Sequence, residues 1–255
     1  MFRLTGMLLT AVVGLGVAMA QTDERVDMDD QAARALFTTE RTLLTQENFA
    51  QLEKIAGEAR TTKARFTGGE WQLAAFYRGV QRPGYLTAPD ASWNNHIERL
   101  KRWAAAQPDS ITPRVALGQA YLRFAWKARG SDFSVTDEGR KLFEARVQQA
   151  REVLEAAESL PVKDPQLYCD LLTVGLAQGW SHPQVDRLSE QVMLLDPAYF
   201  TIYTAQANYL MTKWYGKEGE AEAFAQIMAD KIGGDHGDFV YFKIAAAQNC
   251  CRMTQ

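Results

Sequence analysis

The chain is poor in the residues that most chemistry uses. Only three cysteines and three histidines occur in 255 residues. The histidines, His96, His182 and His236, have no second histidine three to five positions away, which excludes the helix-borne zinc pair. Three cysteines, Cys169, Cys250 and Cys251, do not make a disulfide framework. After Val17 no apolar run approaches the roughly 18 residues that a membrane-spanning helix needs. Neither sign of charge dominates: 28 Lys and Arg stand against 31 Asp and Glu, for a net −3. That balance lacks the basic surface of a nucleic-acid binder, and there is no acidic tail or polybasic run. There is no Gly-x-Ser-x-Gly, no Walker phosphate loop and no dinucleotide fingerprint. No stretch alternates with period two, so no sheet is expected.

What is present is a leader and a long series of helical patterns. Arg3, the apolar run Met7 to Val17 and the small residues of Ala18-Met19-Ala20 have the order of a secretory signal. Cleavage after Ala20 is expected, against the alternative of an uncleaved anchor. The mature protein is then periplasmic or secreted, with no membrane span and a flexible start over residues 21–30. With 47% apolar residues, residues 31–255 can bury one core. Cys169 is expected as a small core residue, against a bridge to Cys250 or Cys251.

A spacing recurs in the second half. Asp164-Pro165 and Asp196-Pro197 lie 32 residues apart, and ten residues after each proline comes a small one, Gly175 or Ala207. Pro108 stands at the same offset from Gly118. Five positions before the three prolines are Trp103, Leu160 and Val192. This period and these small residues are those of stacked helical hairpins, in which helices approach where a side chain is small. The fold class expected is all-α, with antiparallel helix pairs stacked as a tetratricopeptide-like right-handed solenoid.

Periodicity and breakers place the helices. Helical periodicity begins near Gln31 and is strong from Glu40 to about Thr61, and a second helix is expected from Glu70 to about Val80 before the turn Arg82-Pro83-Gly84. Ala91–Ala106 carries the stripe Trp93, Ile97, Leu100 and Trp103. The next begins at a capping Thr112 with Pro113 and ends at Gly130. A helix over 138–159 carries Phe143, Val147, Ala150, Leu154 and Ala157 at steps of four and three. Then come the helix after Pro165, its return from Pro183 to Leu195, Tyr199–Trp214, Glu220–Ile232 and Asp238–Asn249.

Several of these segments are similar to a known group. Gly69-Glu70-Trp71-Gln72-Leu73, Ala125-Trp126-Lys127-Ala128-Arg129-Gly130, Gly179-Trp180, Asp196-Pro197-Ala198-Tyr199 and the run from Tyr209 to Gly216 occur in an order that resembles a bacterial domain-of-unknown-function family of helical proteins. The resemblance covers about residues 38–245. It implies a tetratricopeptide-like fold and transfers no catalytic residue and no cofactor.

The candidate functional residues follow from helical spacing. Gln119, Arg123 and Lys127 recur every four residues on one helix, with Arg129 at its exit. Thr201, Thr204, Asn208 and Thr212 make a similar stripe on another. Gln119, Arg123, Lys127, Arg129, Thr204 and Asn208 are taken as an interaction face for a protein or peptide segment. The alternative is a small-ligand or enzyme pocket near Arg123, Trp126 and Arg129, and self-association is a third reading. For the three cations, a carboxylate of Asp132 or Asp137 is the expected local partner. Gly233 to Asp238 is read as a helix stop and cap in preference to a cation loop, and 132–139 as a capped loop in preference to a calcium site. His96 is expected at the surface. The six tryptophans are expected to pack between hairpins.

Overall fold

The computed structural model describes residues 31–130 and 135–252, with side chains to Gln248. The leader, the stretch 21–30, Asp132 and the Cys250 and Cys251 side chains lie outside the described residues.

Among the described residues there are eleven helices and no strand. Arg65 and Trp71 form one isolated antiparallel bridge. The helices are α1 (Gln31–Thr45), α2 (Phe49–Thr62), α3 (Gln72–Val80), α4 (Asp90–Ala106), α5 (Thr112–Arg129), α6 (Asp137–Ala157), α7 (Pro165–Gln178), α8 (His182–Leu195), α9 (Thr201–Tyr209), α10 (Glu220–Ile232) and α11 (Gly234–Arg252).

Where apolar spacing is regular, the elements follow it. Trp93, Ile97, Leu100 and Trp103 are the buried stripe of α4. The α6 stripe is Phe143, Val147, Ala150, Leu154 and Ala157, with Gly139 added at its start. Thr136 caps α6 by accepting from the Gly139 backbone N–H at 3.0 Å. Asp164 caps α7 through the Gln166 N–H at 2.9 Å, beside Pro165 in the first turn. Each such cap contributes about 1 kcal/mol.

Four boundaries differ from expectation. The single helix expected over 40–61 is two. Glu47 takes a positive φ of 56°, and Asn48 then starts α2 by accepting from Gln51 N–H. A capping Asn competes with the helix it would otherwise continue. Thr112 does not cap α5: Ile111 holds the cap position, while the Thr112 hydroxyl accepts from Arg60 at 3.1 Å. The helix expected over 199–214 stops at Tyr209. Beyond it the chain curls back, with Tyr215 N–H donating to the Tyr209 carbonyl at 3.2 Å. The Tyr209 and Tyr215 hydroxyls donate to the carbonyls of Trp180 (2.6 Å) and Leu176 (3.1 Å), which fastens the curl to the hairpin before it. Finally, α11 starts at Gly234, so Asp235 to Asp238 are helical and do not form a cap. Gly237 allows this: a Cβ there would lie 2.3 Å from the Ala229 carbonyl oxygen of α10.

A single apolar cluster joins α1 through α11. Trp71, Trp93 and Trp103 lie within it, and Trp126, Trp180 and Trp214 pack on its edge. Trp93 stacks on Phe124 of α5 with ring centroids 5.2 Å apart. Full burial of such rings and of Leu or Ile contributes roughly 1.5–3 kcal/mol each. Cys169 is free and buried in this core.

Consecutive helices pack along the chain, most sparsely at α3 and α4, where His96 meets the Val80 carbonyl, and there is a second set of contacts: α3 on α5, α5 on α7, α7 on α9 and α9 on α11. The small residues of the repeated spacing sit among these. A Cβ on Gly118 would lie 2.5 Å from Leu154 of α6. One on Gly175 would meet the Trp180 ring at 3.2 Å, in the turn after its own helix. Ala207 is buried.

Candidate functional site

Two polar clusters lie where α2, α3, α5, α7 and the approach to α9 meet. The first is centred on Asp164, whose side chain is fully buried. Its Oδ2 accepts from Arg60 Nε at 2.9 Å and from the Tyr77 hydroxyl at 2.5 Å. Arg60 also donates to Tyr77 and Thr112. One carboxylate therefore ties α2, α3 and the start of α5 to the first turn of α7. Burial pulls the Arg60 guanidinium down, but Tyr77 and Asp164 outweigh it and hold the cation firmly protonated. Burial, with Asp164 adding to it, raises the Tyr77 phenol well above its usual range.

The second cluster surrounds Asp170. Gln119 and Gln166 donate their amides to Asp170 Oδ1 at 3.1 and 2.9 Å. Tyr199 donates to the side-chain Oε1 of Gln166 at 2.6 Å. Asp170 Oδ2 and Gln119 Oε1 are buried with no hydrogen-bond partner. Burial pushes the Asp170 carboxyl up to about 8, against the two amides and the nearby charge of Arg123. A carboxyl so raised keeps its proton to a higher pH than an exposed aspartate does.

The residues of the proposed face are not placed alike. Gln119 is buried on Asp170. Arg123 is half-buried and donates from Nε to Gln81 Oε1 at 2.8 Å. Lys127 pairs with Asp90 of α4, which also lies 3.4 Å from Arg146. Asp137 pairs instead with Arg140 of its own helix, so the local carboxylate for Lys127 is Asp90. Arg129 lies over the Trp126 ring at 5.5 Å. Thr204 donates to the Thr201 carbonyl within α9. Asn208 is half-buried, with Oδ1 enclosed and unpartnered. The ends of α5 and α9 come together through Trp126 and Trp214, whose rings meet edge-on at 6.0 Å. The buried Nε1 of Trp214 has no acceptor.

Of the histidines, His96 is buried, not exposed, and its Nε2 lies 2.9 Å from the Val80 carbonyl. Burial lowers its imidazole to about 4. Its spacing explains the placement, since 96 falls on the Trp93–Trp103 stripe. His182 Nε2 lies 3.1 Å from the Tyr215 carbonyl, and the His236 ring faces Phe200. Among the described residues no three His, Cys, Asp or Glu side chains gather as a metal site would need. One concavity follows the outer side of α1 and is lined by that helix alone, including Arg34, Thr38 and Thr42.

No local sequence pattern groups Arg60, Tyr77, Asp164 and Asp170. One signal existed for Asp170, a lone carboxylate inside the apolar run Leu167 to Leu176. The partners come from helices up to 104 residues apart, a distance no local pattern spans. No protein-family model, curated protein or solved structure matches this chain.

Proposed function

We propose that the chain is an exported helical-repeat protein, tetratricopeptide-like in fold, that binds a protein or peptide segment along the exposed side of its inner helices. The observation that carries this reading is the second set of helix contacts. Each odd-numbered helix from α3 to α9 packs on the next odd-numbered helix as well as on its neighbour in sequence. Stacks of that kind expose one continuous row of helices, a surface suited to an extended partner. The 32-residue spacing of Asp164-Pro165 and Asp196-Pro197 supports the same reading. Within the proposed face, Arg129, Thr204 and Asn208 are the residues that neither an ion pair nor a bond to another helix occupies.

Affinity capture from an envelope extract, followed by mass spectrometry, tests the function. A partner held by the parent and lost with Arg129→Glu plus Asn208→Arg, at an unchanged melting temperature, supports the face. Undiminished capture by the double variant removes it. Export is tested by N-terminal sequencing, which is expected to begin at Gln21.

A second reading, a small-ligand site, draws on one observation. Asn208 Oδ1 and Trp214 Nε1, an acceptor and a donor, are both enclosed without partners, and buried polar groups are ordinarily paired.

A further inference from the structure

We propose that residues 63–71, the link from α2 to α3, are a clasp that ties the first helices to α9 and α11 and sets the curvature of the helical stack. Hairpins packed in series touch mainly their neighbours. The clasp does otherwise, with hydrogen bonds to residues 127 to 133 positions away. Lys63 donates to the Leu195 carbonyl at 3.1 Å and pairs with Asp196 Oδ2 at the same distance. The Trp71 indole N–H donates to the Ala198 carbonyl at 2.8 Å, and Arg65 reaches the same oxygen at 3.5 Å. The Arg65 guanidinium also lies 4.8 Å from the centre of the Trp71 ring and 4.9 Å from that of Phe200, which holds the cap position of α9. A Cβ on Gly69 would lie 3.0 Å from the Phe239 ring of α11, and Phe239 packs on Phe200 with centroids 4.7 Å apart.

The segment is built to move as one piece. Phe66 N–H donates to the Glu70 carbonyl at 2.8 Å and Gln72 N–H to the Ala64 carbonyl at 2.9 Å, around the bridge of Arg65 with Trp71. Side chains make its links to α9 and α11. The Lys63 side chain is 52% exposed in its pair with Asp196, so water and salt weaken that link. Lys63 also has a φ of 53°, in the left-handed region where a residue with a side chain is strained. It stands where α2 ends and marks the hinge. Arg60 and Tyr77 lie outside the clasp on either side, and their bonds to Asp164 keep α2 and α3 on α7 when the clasp lets go. The clasp acts on the chain's own shape, whether or not the inner row binds a partner.

The test is small-angle X-ray scattering of the full chain at pH 7, with helix content followed by circular dichroism. Lys63→Glu plus Arg65→Glu sets two carboxylates against Asp196 and the Ala198 carbonyl. The double variant is expected to keep the parent's helix content and to show a larger maximum dimension. Backbone hydrogen exchange at residues 64–72 should quicken about tenfold or more, the effect of losing one charged contact. Lys54→Gln, at a remote exposed pair with Glu58, should change neither. A merely local contact would lower the melting temperature and leave the dimension unchanged, and that result overturns the proposal. So does an equal change in Lys54→Gln. If the double variant loses helix content, Arg65→Lys decides, since it keeps the charge and loses the planar contact with the two rings. A larger maximum dimension then supports the clasp, and the parent's dimension overturns it.

Discussion

Arg60 Nε donates to Asp164 Oδ2 at 2.9 Å across 104 residues of chain. The contact joins the end of α2 to the first residue before α7, and it is closed on its other sides by Tyr77, Thr112 and the Gln166 N–H. Every polar atom it uses would otherwise face an apolar core, so the network is costly to leave half made.

Asp164→Ala is expected to destabilise by about 3–5 kcal/mol, because it strands a mostly buried guanidinium. Asp164→Leu combined with Arg60→Met should cost less than Asp164→Ala alone, since no charge is then left without a partner. Urea unfolding of the single and double variants measures the difference. A double variant weaker than the single would show that the network does more than satisfy its own charge.

Stability should depend on pH through two buried groups of opposite sign. The Asp170 carboxyl is raised from 3.8 to about 8, so the folded chain keeps a proton that the unfolded chain releases. Its contribution is lost as pH climbs through that window. The His96 imidazole is lowered from 6.5 to about 4, so the unfolded chain takes up a proton that the folded chain refuses. That effect makes stability rise with pH up to about 6.5. The two oppose each other below 6.5. The raised carboxyl of Glu40 works in the same direction as Asp170 from about pH 4.5 upward, and above 6.5 both act without opposition from His96. The expected profile falls gently from pH 5 to 6.5, where Glu40 and Asp170 together outweigh His96, and falls more steeply toward pH 8. Asp170→Asn should flatten the fall, and His96→Gln should extend it to lower pH. Denaturant unfolding across a pH series reads both.

Two glycine substitutions should move stability in opposite directions. A Cβ at Gly216 would lie 1.8 Å from the Leu210 carbonyl oxygen, a backbone atom with nowhere to go. Gly216→Ala should open the curl after α9 and lower the melting temperature by several degrees. Gly57, inside α2, has open space around it, so Gly57→Ala should raise stability by about 0.5–1 kcal/mol. Thermal melts of the pair check the assignment.

The contact of α5 with α6 at Gly118 and Leu154 predicts coupling between the two sites. Gly118→Ala places a methyl 2.5 Å from the Leu154 side chain and should cost about 1–3 kcal/mol. Leu154→Ala alone leaves a cavity and should cost about 2–5 kcal/mol. In the double variant the new methyl enters the space that the leucine vacates, so the combined loss should be smaller than the sum. Additive losses in a double-mutant cycle would contradict the close approach.

The sequence by itself determined the class of structure and most of its elements. Stripes such as Phe143 to Ala157 fall on one helical face by spacing alone, and Thr136, Asp164, Gly130 and Gly233 mark ends through local backbone chemistry. These signals act within a turn or two of helix, which is why they can be read along the chain. Only the tertiary structure decided the rest. The break at Glu47–Asn48 and the early end of α9 depend on local competition and on tyrosines reaching the preceding hairpin. The polar face read along α5 looked like one stripe because spacing records which residues share a side of a helix. It does not record what packs against that side, and α7, α4 and the turn after α3 take up Gln119, Lys127 and Arg123. Burial of Asp164, Asp170 and Glu40, and the shifts in proton affinity at Asp170 and Glu40, arise from the same cause. Desolvation is a property of the packed assembly, fixed by groups far away in sequence.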